Sequence, residues 1–253
     1  MILIRSTLFN ILFYANLAVL MVLGLPTMLA GPRGVIALAR LWGRSSLWLL
    51  RIVCRLDVEY RGLEKIPRNG FIIAPKHQSI WETFALLPLF SDFTFILKRE
   101  LVWIPFFGWY LKAAKQIAIN RSNGGSALLA ATERAKTELL AGRQVFIFPE
   151  GTRRAAGAPP RYKFGVAAIY SASNAPCLPI ALNSGLFWPR RSFLRQPGKV
   201  LVEVMNPIEP GLEKQDFLRL LSERMESATS LLIEESLRAN PALRVNLADQ
   251  SSD

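Results

Sequence analysis

The chain has 253 residues, which is enough to bury one hydrophobic core, so a single α/β domain with a short appendage is expected. Lys and Arg outnumber Asp and Glu by 31 to 19, giving a formal charge of +12, while 51% of the residues are hydrophobic. Positive charge alone suits nucleic acid and a membrane surface equally, because both present rows of phosphates. The apolar excess favours an anionic bilayer. No nucleic-acid partner is expected, since zinc-finger spacing, an RNP-like aromatic pattern and a separate basic tail are all absent from the sequence.

The cysteines and the single histidine narrow the possible chemistry. Cys54 and Cys177 lie far apart and form no Cys-x-x-Cys pair, so the sequence indicates neither a disulfide framework nor a thiolate metal site. His77 is the only histidine, which excludes a histidine-cluster metal site. Any imidazole chemistry must therefore use His77.

The N-terminus carries a long apolar segment with no charged residue from Ser6 to Pro32. A hydrocarbon core requires roughly 20 such residues, so the segment is predicted to be embedded in a membrane. A cleaved signal peptide is the alternative, because Arg5 precedes the run and Met28-Leu29-Ala30 follows it. The run exceeds a usual signal-peptide core of about 7 to 15 residues, which favours the membrane segment.

A stripe of arginines follows this segment. When each residue advances about 100° around a helix, the arginines fall on one narrow line, and most residues between them are apolar. The five are Arg33, Arg40, Arg44, Arg51 and Arg55. This pattern predicts a helix in the headgroup layer, with its guanidinium groups toward lipid phosphates. A core helix with one solvated face is the alternative. Residues 1–56 thus form a predicted membrane-embedded and interfacial helical unit.

From residue 57 the chain alternates short β-like runs with helical runs, which predicts one α/β domain over residues 57–239. The expected fold class is a mixed, mostly parallel sheet flanked by helices. Strands are predicted at residues 58–60, 71–74, 93–97, 117–119, 145–148, 178–182 and 200–204. Helices are predicted at residues 80–89, 126–141, 164–173 and 213–239. Residues 240–253 are polar and are expected to form a loosely held tail.

The motif Lys76-His77-Gln78-Ser79-Ile80-Trp81-Glu82 lies between a predicted strand and the next helix. In open α/β sheets the crevice beyond the carboxyl ends of the strands is the usual ligand site. Ser79 and Glu82 have the spacing of a capping box, and the carboxylate of Glu82 is also able to accept the Nδ1–H of His77. Such a dyad suits removal of a proton from a hydroxyl as it attacks an acyl carbonyl. A lone, simply packed histidine is the alternative.

A second motif, residues 146–154, is an apolar strand that breaks at Pro149 into a loop containing glycine and arginine. Backbone N–H groups near Gly151 and the planar guanidinium of Arg153 suit a phosphate, while Glu150 is able to orient the loop or an acceptor hydroxyl. The alternative is a tight turn with solvated arginines. No Gly-x-Ser-x-Gly elbow occurs, so a lipid hydrolase is not favoured.

Together, His-x-x-x-x-acid and the downstream Phe-Pro-Glu-Gly-Thr-Arg resemble the glycerolipid acyltransferase family, most closely its bacterial 1-acyl-glycerol-3-phosphate acyltransferases, over roughly residues 57–210. Two further blocks support the resemblance: residues 98–121, which begin Lys-Arg-Glu-Leu and end Ile-Asn-Arg, and residues 178–183. The chain departs from the family pattern at three positions. Glu82 stands where aspartate is usual, Lys115 where a glycine is frequent, and Arg154 where a serine is common.

The resemblance implies a glycerol-3-phosphate acyltransferase-like fold with an N-terminal helical element embedded in one membrane leaflet. It also implies that acyl-CoA or acyl carrier protein is the donor, without a metal or cofactor. By resemblance His77 is the base and Glu82 its acidic partner. The implied substrate-binding residues are Lys98, Arg121 and Arg153 for the acceptor's phosphate, and Glu150, Gly151 and Thr152 around the glycerol.

The expected reaction is transfer of a fatty acyl group to the sn-2 hydroxyl of 1-acyl-glycerol-3-phosphate (lysophosphatidic acid), which makes phosphatidic acid for phospholipid biosynthesis. A two-chain product is not released into water, so a membrane location is expected, on the cytoplasmic face of the bacterial inner membrane. One alternative is another lyso-lipid acceptor, such as a lyso-ornithine lipid or a lysophospholipid. A noncatalytic membrane-binding relative is the other, and the presence of both His77 and Glu82 counts against it.

Overall fold

The computed structural model describes residues 1–120 and 124–247. Seven strands form one sheet in the order β1-β7-β6-β2-β5-β3-β4. Five strands, β2 to β6, run parallel to one another, whereas β7 is antiparallel to β6 and parallel to β1. The strands are β1 (Leu56–Arg61), β2 (Ile72–Pro75), β3 (Phe93–Lys98), β4 (Ile117–Ile119), β5 (Gln144–Phe146), β6 (Cys177–Leu182) and β7 (Gly198–Val204). The predicted mixed, mostly parallel sheet is confirmed.

Helices cover both faces of this sheet. They are α1 (Ile2–Leu23), α2 (Gly31–Leu49), α3 (Glu82–Ala85), α4 (Phe107–Ala113), α5 (Gly124–Leu140), α6 (Gly165–Ser173), α7 (Ser184–Phe187) and α8 (Lys214–Ala239). Successive residues of a strand face opposite sides, and β2 shows this directly. Ile72 and Ala74 pack with buried residues of α5, α6 and α8, while Ile73 belongs to the core that contains α1, α2 and α3.

The predicted helix at residues 80–89 differs from the observed structure, because it divides into α3 and a 3-10 turn, Leu87–Leu89. Pro88 has no N–H to donate to the carbonyl of Phe84, so a regular helix does not continue. Helix α2 approaches this carbonyl closely: a Cβ on Gly43 would lie 2.6 Å from the Phe84 oxygen. Glycine at position 43 is therefore required by the packing of α2 on α3.

Helix α1 is long and apolar enough, by length and composition, to cross a membrane. In the structure it lies along the α/β domain and is attached near both ends. Arg195 donates to Asn10 Oδ1 at 2.7 Å, and its backbone N–H donates to Ser6 Oγ at 3.0 Å. Near the other end, the Tyr110 hydroxyl donates to the carbonyl of Met21 at 2.5 Å. Between these contacts, the rings of Phe9 and Phe13 pack against Trp188, Trp42 and Phe84.

Helix α2 has one buried face and one largely exposed face. Val35, Ile36 and Ser46 are buried against the core. On the other side the arginines are exposed, except Arg40, which is half-buried and donates to the Pro88 carbonyl at 3.4 Å. The exposed apolar neighbours of the arginine stripe are Leu41, Trp48 and Ile52.

The polar tail predicted from Asn240 is firmly packed over its described part, which differs from the expected loose attachment. A 3-10 helix, Pro241–Asn246, is capped by Asn240 Oδ1, which accepts from the Ala242 N–H at 3.2 Å. Leu243 is buried in the main core, and Asn246 donates to the Leu186 carbonyl at 2.6 Å. The buried Leu243, the side-chain hydrogen bond of Asn246 and a β-bridge between Ala156 and Leu247 thus hold this part of the segment. Residues 248–253 lie outside the described residues.

Candidate active site

The carboxyl ends of β2 to β6 meet at one edge of the sheet, because these five strands are parallel. The predicted site residues follow these ends. His77 and Glu82 come after β2, Lys98 ends β3, and the loop from Glu150 to Arg153 follows β5. Arg121, which follows β4, lies outside the described residues. The structure therefore brings the described members of the predicted set to a single edge.

His77 is held in a defined orientation at this edge. Its ring stacks on Phe148, with centroids 3.8 Å apart and planes 17° apart. Its Nδ1 lies 2.8 Å from Glu82 Oε1. Because a carboxylate oxygen accepts a hydrogen bond, we assign the proton to Nδ1, which leaves Nε2 with a free lone pair. The side chain is 14% exposed, so a substrate hydroxyl is able to reach it.

Glu82 is completely buried, and four donors surround its carboxylate. Besides His77, Oε1 accepts from the backbone N–H groups of Gln78 at 2.8 Å and Ser79 at 2.7 Å. Oε2 accepts from the hydroxyl of Ser184 at 2.8 Å. The capping role and the dyad role therefore coexist, although the Ser79 hydroxyl accepts from Trp81 N–H at 3.2 Å rather than from residue 82. The side chain of Glu82 is thus long enough to reach His77 Nδ1 from the first turn of α3.

The contact from Ser184 was missed by the sequence analysis. Ser184 follows β6, which is the neighbour of β2 in the sheet, and it lies 102 residues from Glu82 in the chain. The only indication of this contact in the sequence was that Ser184 directly follows residues 178–183, the last block of the resemblance, at the end of a predicted strand. Pairing between β2 and β6 was needed to bring the two residues together.

The loop after β5 forms hydrogen bonds with both the N–H and the carbonyl of His77. The His77 N–H donates to Glu150 Oε2 at 3.1 Å, and the Arg154 N–H donates to the His77 carbonyl at 2.8 Å. The other oxygen of Glu150 accepts from the Lys76 ammonium at 2.9 Å. Burial raises the pKa of the Glu150 carboxyl, and Lys76 opposes that rise. The resemblance placed Glu150 at the glycerol site, but the structure places its carboxylate under the His77 backbone.

Gly151 and its neighbours form the turn at the tip of this loop. Gly151 has φ +67°, a conformation that favours glycine, and its N–H donates to the Phe148 carbonyl at 3.0 Å. Thr152 is exposed, whereas Arg153 is half-buried. The carbonyl of Arg153 accepts from Arg190 at 3.1 Å. Within residues 1–120 and 124–247, no acidic side chain forms an ion pair with the Arg153 guanidinium, so its charge remains available to an anion.

Three further cations from the sequence blocks, Lys98, Arg154 and Lys115, differ in their positions. Lys98 is exposed and pairs with Glu100 at 3.3 Å, and such a solvent-accessible pair is easily exchanged for a ligand phosphate. Arg154 donates to the Pro159 carbonyl at 2.9 Å. Lys115 precedes β4 and thus lies at the opposite edge of the sheet, beside a cavity of about 290 Å³ that Asp92 and Arg143 also line. Its φ of 54° lies in the left-handed region that favours glycine, and its charge does not belong to the site.

Groups that suit metal binding are also limited in the described part of the chain. Residues 1–120 and 124–247 contain no cluster of three or more His, Cys, Asp or Glu side chains with metal-site geometry. Cys54 and Cys177 are free and buried, and burial raises the pKa of the Cys54 thiol to about 11. These thiols therefore take part in packing rather than in the polar edge described above.

Comparison with known proteins identifies the family. The acyltransferase family model matches residues 57–183, half of the chain. A 1-acyl-sn-glycerol-3-phosphate acyltransferase of Pseudomonas aeruginosa is 38% identical over 194 residues, which cover 77% of this chain and 76% of that protein. The chain belongs to the acyltransferase family. The resemblance inferred from the motifs is thereby confirmed, and the protein is an acyltransferase.

More distant relatives agree with this assignment. The mouse 1-acyl-sn-glycerol-3-phosphate acyltransferase alpha is 28% identical over 186 residues, covering 72% of this chain and 65% of that protein. The crystal structure of the 1-acyl-sn-glycerophosphate acyltransferase PlsC from Thermotoga maritima superimposes with a TM-score of 0.75 at 24% identity. That match covers 92% of this chain and 99% of the other, so the two proteins share the same overall fold.

Proposed function

We propose that this acyltransferase moves a fatty acyl group from an acyl thioester to the sn-2 hydroxyl of 1-acyl-glycerol-3-phosphate, which yields phosphatidic acid. The observation that carries the proposal is the His77–Glu82 pair, joined at 2.8 Å through Nδ1, at the sheet edge where the substrate cations gather. The names of the bacterial and mouse relatives support the same acceptor. Neither relative's name specifies the thioester, so acyl-CoA and acyl carrier protein are both candidate donors.

In the proposed mechanism His77 Nε2 removes the proton of the acceptor hydroxyl as its oxygen attacks the thioester carbonyl carbon. The C–O bond forms, and the resulting tetrahedral oxyanion then expels the thiolate as the C–S bond breaks. The thiolate takes the proton back from the imidazolium. Glu82 holds the ring through Nδ1 and stabilises its positive charge during this cycle. The serine hydroxyls near the ring serve as hydrogen-bond donors and acceptors, and no covalent acyl-enzyme is required.

The acceptor's phosphate is proposed to bind Arg153 and Lys98, with Arg121 as the third cation implied by family resemblance. Arg153 is half-buried and has no acidic partner among the described residues, and a guanidinium there suits bidentate contact with a phosphate monoester. In the strand order, β3 lies two positions from β2, so Lys98 is about 10 Å to the side of the His77 strand. That separation leaves room for the glycerol of the acceptor. Glu150, Gly151 and Thr152 are proposed to shape the loop that faces it.

We also propose that residues 1–56 lie in one leaflet as a membrane-embedded unit on the catalytic domain. Helix α1 has 22 residues, about 33 Å at the usual rise per residue. It is bound by Arg195 near one end and by Tyr110 near the other. If α1 spanned the bilayer, both contacts would draw the polar domain into the hydrocarbon. An orientation parallel to the membrane plane avoids this cost.

The exposed residues around α1 support this orientation. Its outer face is apolar, with Ile4 72% and Ile11 62% exposed. The segments that bind α1 also carry exposed large apolar side chains: Trp103, Phe106 and Trp109 near Tyr110, and Phe193 and Leu194 beside Arg195. The α2 arginines would then reach lipid phosphates. Because Phe9 and Phe13 are part of the main core, a mature protein cleaved after Ala30 would lose core residues, which favours retention of the segment. The proposed location is the cytoplasmic face of the bacterial inner membrane.

The test is an acyl-transfer assay with purified, detergent-solubilised protein and two labelled donors, acyl-CoA and acyl carrier protein, each supplied with lysophosphatidic acid. Parallel reactions contain lysophosphatidylethanolamine or a lyso-ornithine lipid. Phosphatidic acid identified by mass, formed from at least one donor and in preference to the other products, supports the proposal and names the donor. Preference for an acceptor without a phosphate monoester would contradict the assignment of Arg153 and Lys98 as phosphate ligands.

A further inference from the structure

Beneath His77 lies a buried ion network that the mechanism above does not use. The Lys76 side chain is 3% exposed, and its ammonium lies 2.9 Å from Glu150 Oε1 and 2.6 Å from Glu226 Oε1. The Tyr162 hydroxyl donates to the same oxygen of Glu226 at 2.8 Å. Lys76 Nζ also lies 5.7 Å from the centroid of the Tyr162 ring. Three side chains, from the loop after β5, the segment before α6 and helix α8, thus surround the ammonium of Lys76 at the end of β2.

We propose that Glu226 and Tyr162 are positioning residues for His77, which act through Lys76 and Glu150. This inference rests on the proposed role of His77 as the general base. Each link is a contact of 3.1 Å or less: Tyr162 to Glu226, Glu226 to Lys76, Lys76 to Glu150, and Glu150 to the His77 N–H. The ring of His77 is oriented by Glu82, and its backbone is oriented by this network.

The charges explain why the four groups must act together. A buried ammonium is stable only when carboxylates and hydrogen bonds replace its water shell. Lys76 uses one oxygen from each of two glutamates, so the carboxylate of Glu150 is fixed by a cation that Glu226 helps to hold. Burial raises the pKa of the Tyr162 phenol, which keeps its hydroxyl as a donor to Glu226. If Glu226 is neutralised, Lys76 keeps a single carboxylate partner and α8 no longer fixes the position of Glu150.

Glu226 can be substituted to change the network without disturbing the buried core. It lies on α8, beyond residues 57–183 that the acyltransferase family model matches. Its side chain is 26% exposed, compared with 1% for Glu150. Glu223, three residues earlier on the same helix, is 61% exposed and pairs only loosely with Arg219, at 3.5 Å. Glu223→Gln is therefore a matched control for Glu226→Gln.

The first readout uses the fact that His77 is the only histidine in the chain. Full-length protein labelled with ¹⁵N-histidine gives imidazole signals from one residue, and their shifts report which ring nitrogen carries the proton. We expect one Nδ1–H tautomer in the parent and in Glu223→Gln, and a second ring population or mixed tautomers in Glu226→Gln. This readout does not depend on the acceptor, so it remains decisive if phosphatidic acid is not the product.

The second readout separates kcat from KM, using the acceptor on which the parent is active. A positioning role predicts that Glu226→Gln lowers kcat about 10-fold, because positioned bases contribute roughly 10² to 10⁴ in rate and a displaced base forfeits part of this. The KM values for donor and acceptor should stay within about twofold, and the melting temperature should match that of Glu223→Gln. Tyr162→Phe, which keeps the ring and removes only the hydroxyl, should lower kcat in the same direction by a smaller factor.

Two results would overturn the inference. One is an unchanged imidazole spectrum together with an unchanged kcat in Glu226→Gln. The other is a rise in acceptor KM that accounts for the whole loss of kcat/KM, because Glu226 would then act in binding. If Glu226→Gln does not fold, Tyr162→Phe decides the question by the same two readouts, since only its hydrogen bond to Glu226 is removed.

Discussion

The sheet edge around His77 and the outer face of α1 depart from the usual distribution of side chains in opposite ways. At the sheet edge, charged groups are buried: Lys76, Glu82 and Glu150 are each at most 3% exposed. On α1, large apolar groups are exposed along the length of a helix. Buried charges are stable when every one has partners, and exposed apolar groups are stable when another phase covers them. The charges of the first region are thus paired within the chain, whereas the apolar groups of the second region require a surface from outside the chain to cover them.

This difference has a functional reason in the proposed reaction. A general base must be held still, and buried hydrogen-bonded charges provide that rigidity. Both lipid substrate and product stay in the bilayer, so the enzyme must remain at its surface. The same N-terminal helices serve both needs, because Phe9 and Phe13 pack in the core while the opposite face of α1 is left open.

The largest expected effect comes from removing the charge of Glu82. Glu82→Gln should lower kcat by about 10² to 10⁴, because an amide does not fix the tautomer of His77 or stabilise the imidazolium. Glu82→Asp should lose less, since it keeps a carboxylate. Steady-state kinetics of the two variants provide the check. Equal losses in both would show that the length of the side chain, rather than its charge, is what matters.

The next effect tests the exposed face. Replacing Ile4, Ile11 and Val22 of α1 with glutamine should weaken binding to anionic vesicles at least 100-fold, because each buried apolar side chain contributes about 1.5–3 kcal/mol. Activity in detergent should stay within about twofold. A matched control replaces Leu129, Leu140 and Val245, which are exposed apolar residues outside this face. Sedimentation with vesicles measures both sets, and equal loss in the control would contradict the assignment of the face.

A smaller effect is expected from removing one of the hydrogen bonds that stabilise the buried carboxylate of Glu82. Ser184→Ala removes one of the four donors to the Glu82 carboxylate, the one that binds Oε2, and loss of a buried hydrogen bond to a charged group costs about 1.5–3 kcal/mol. We expect reduced stability to denaturant and a fall in kcat of up to about 10-fold with unchanged KM. Ser230→Ala, at an exposed position of α8, is the control. A stable Ser184→Ala with full activity would mean that the remaining donors suffice for Glu82.

The smallest effect is expected at an exposed ion cluster around Arg61, which lies outside both regions. The Arg61 guanidinium, bonded to Glu235 at 2.7 Å, holds the pKa of that carboxyl below its usual range. A lowered carboxyl pKa adds stability above the unfolded-state pKa, and this stability is lost as pH falls through the folded-state pKa. Between about pH 5 and pH 3, Arg61→Ala should therefore lose less melting temperature than the parent does. A steeper acid loss in the variant would contradict this sign, and the exposure of the pair keeps the difference small.

Local patterns in the sequence predicted much of this structure. Alternating apolar runs located all seven strands within a few residues, and the spacing from His77 to Glu82 predicted their contact. Two helical features were harder to predict, because Pro88 divides a predicted helix and Leu243 anchors a segment that is polar by composition. Local patterns carry no information on which distant side chain occupies a given buried space.

The missed part of the candidate site consists of long-range partners. Ser184 and Glu226 lie 102 and 150 residues from the groups they contact. Lys76 stood beside His77 in the motif, but its partners depend on the packing of α8 against the sheet. The contact between Glu150 and the His77 backbone was not predicted either, because it follows from the pairing of β2 with β5.

The most direct test of the account is the kcat of His77→Ala with lysophosphatidic acid and the preferred donor, measured alongside the melting temperature of the variant. The account predicts a loss of about 10² to 10⁴ in kcat, because His77 is the only imidazole in the chain, with a melting temperature close to that of the parent. A folded variant that retains kcat within about threefold would contradict it, since no general base at His77 would then be needed for acyl transfer.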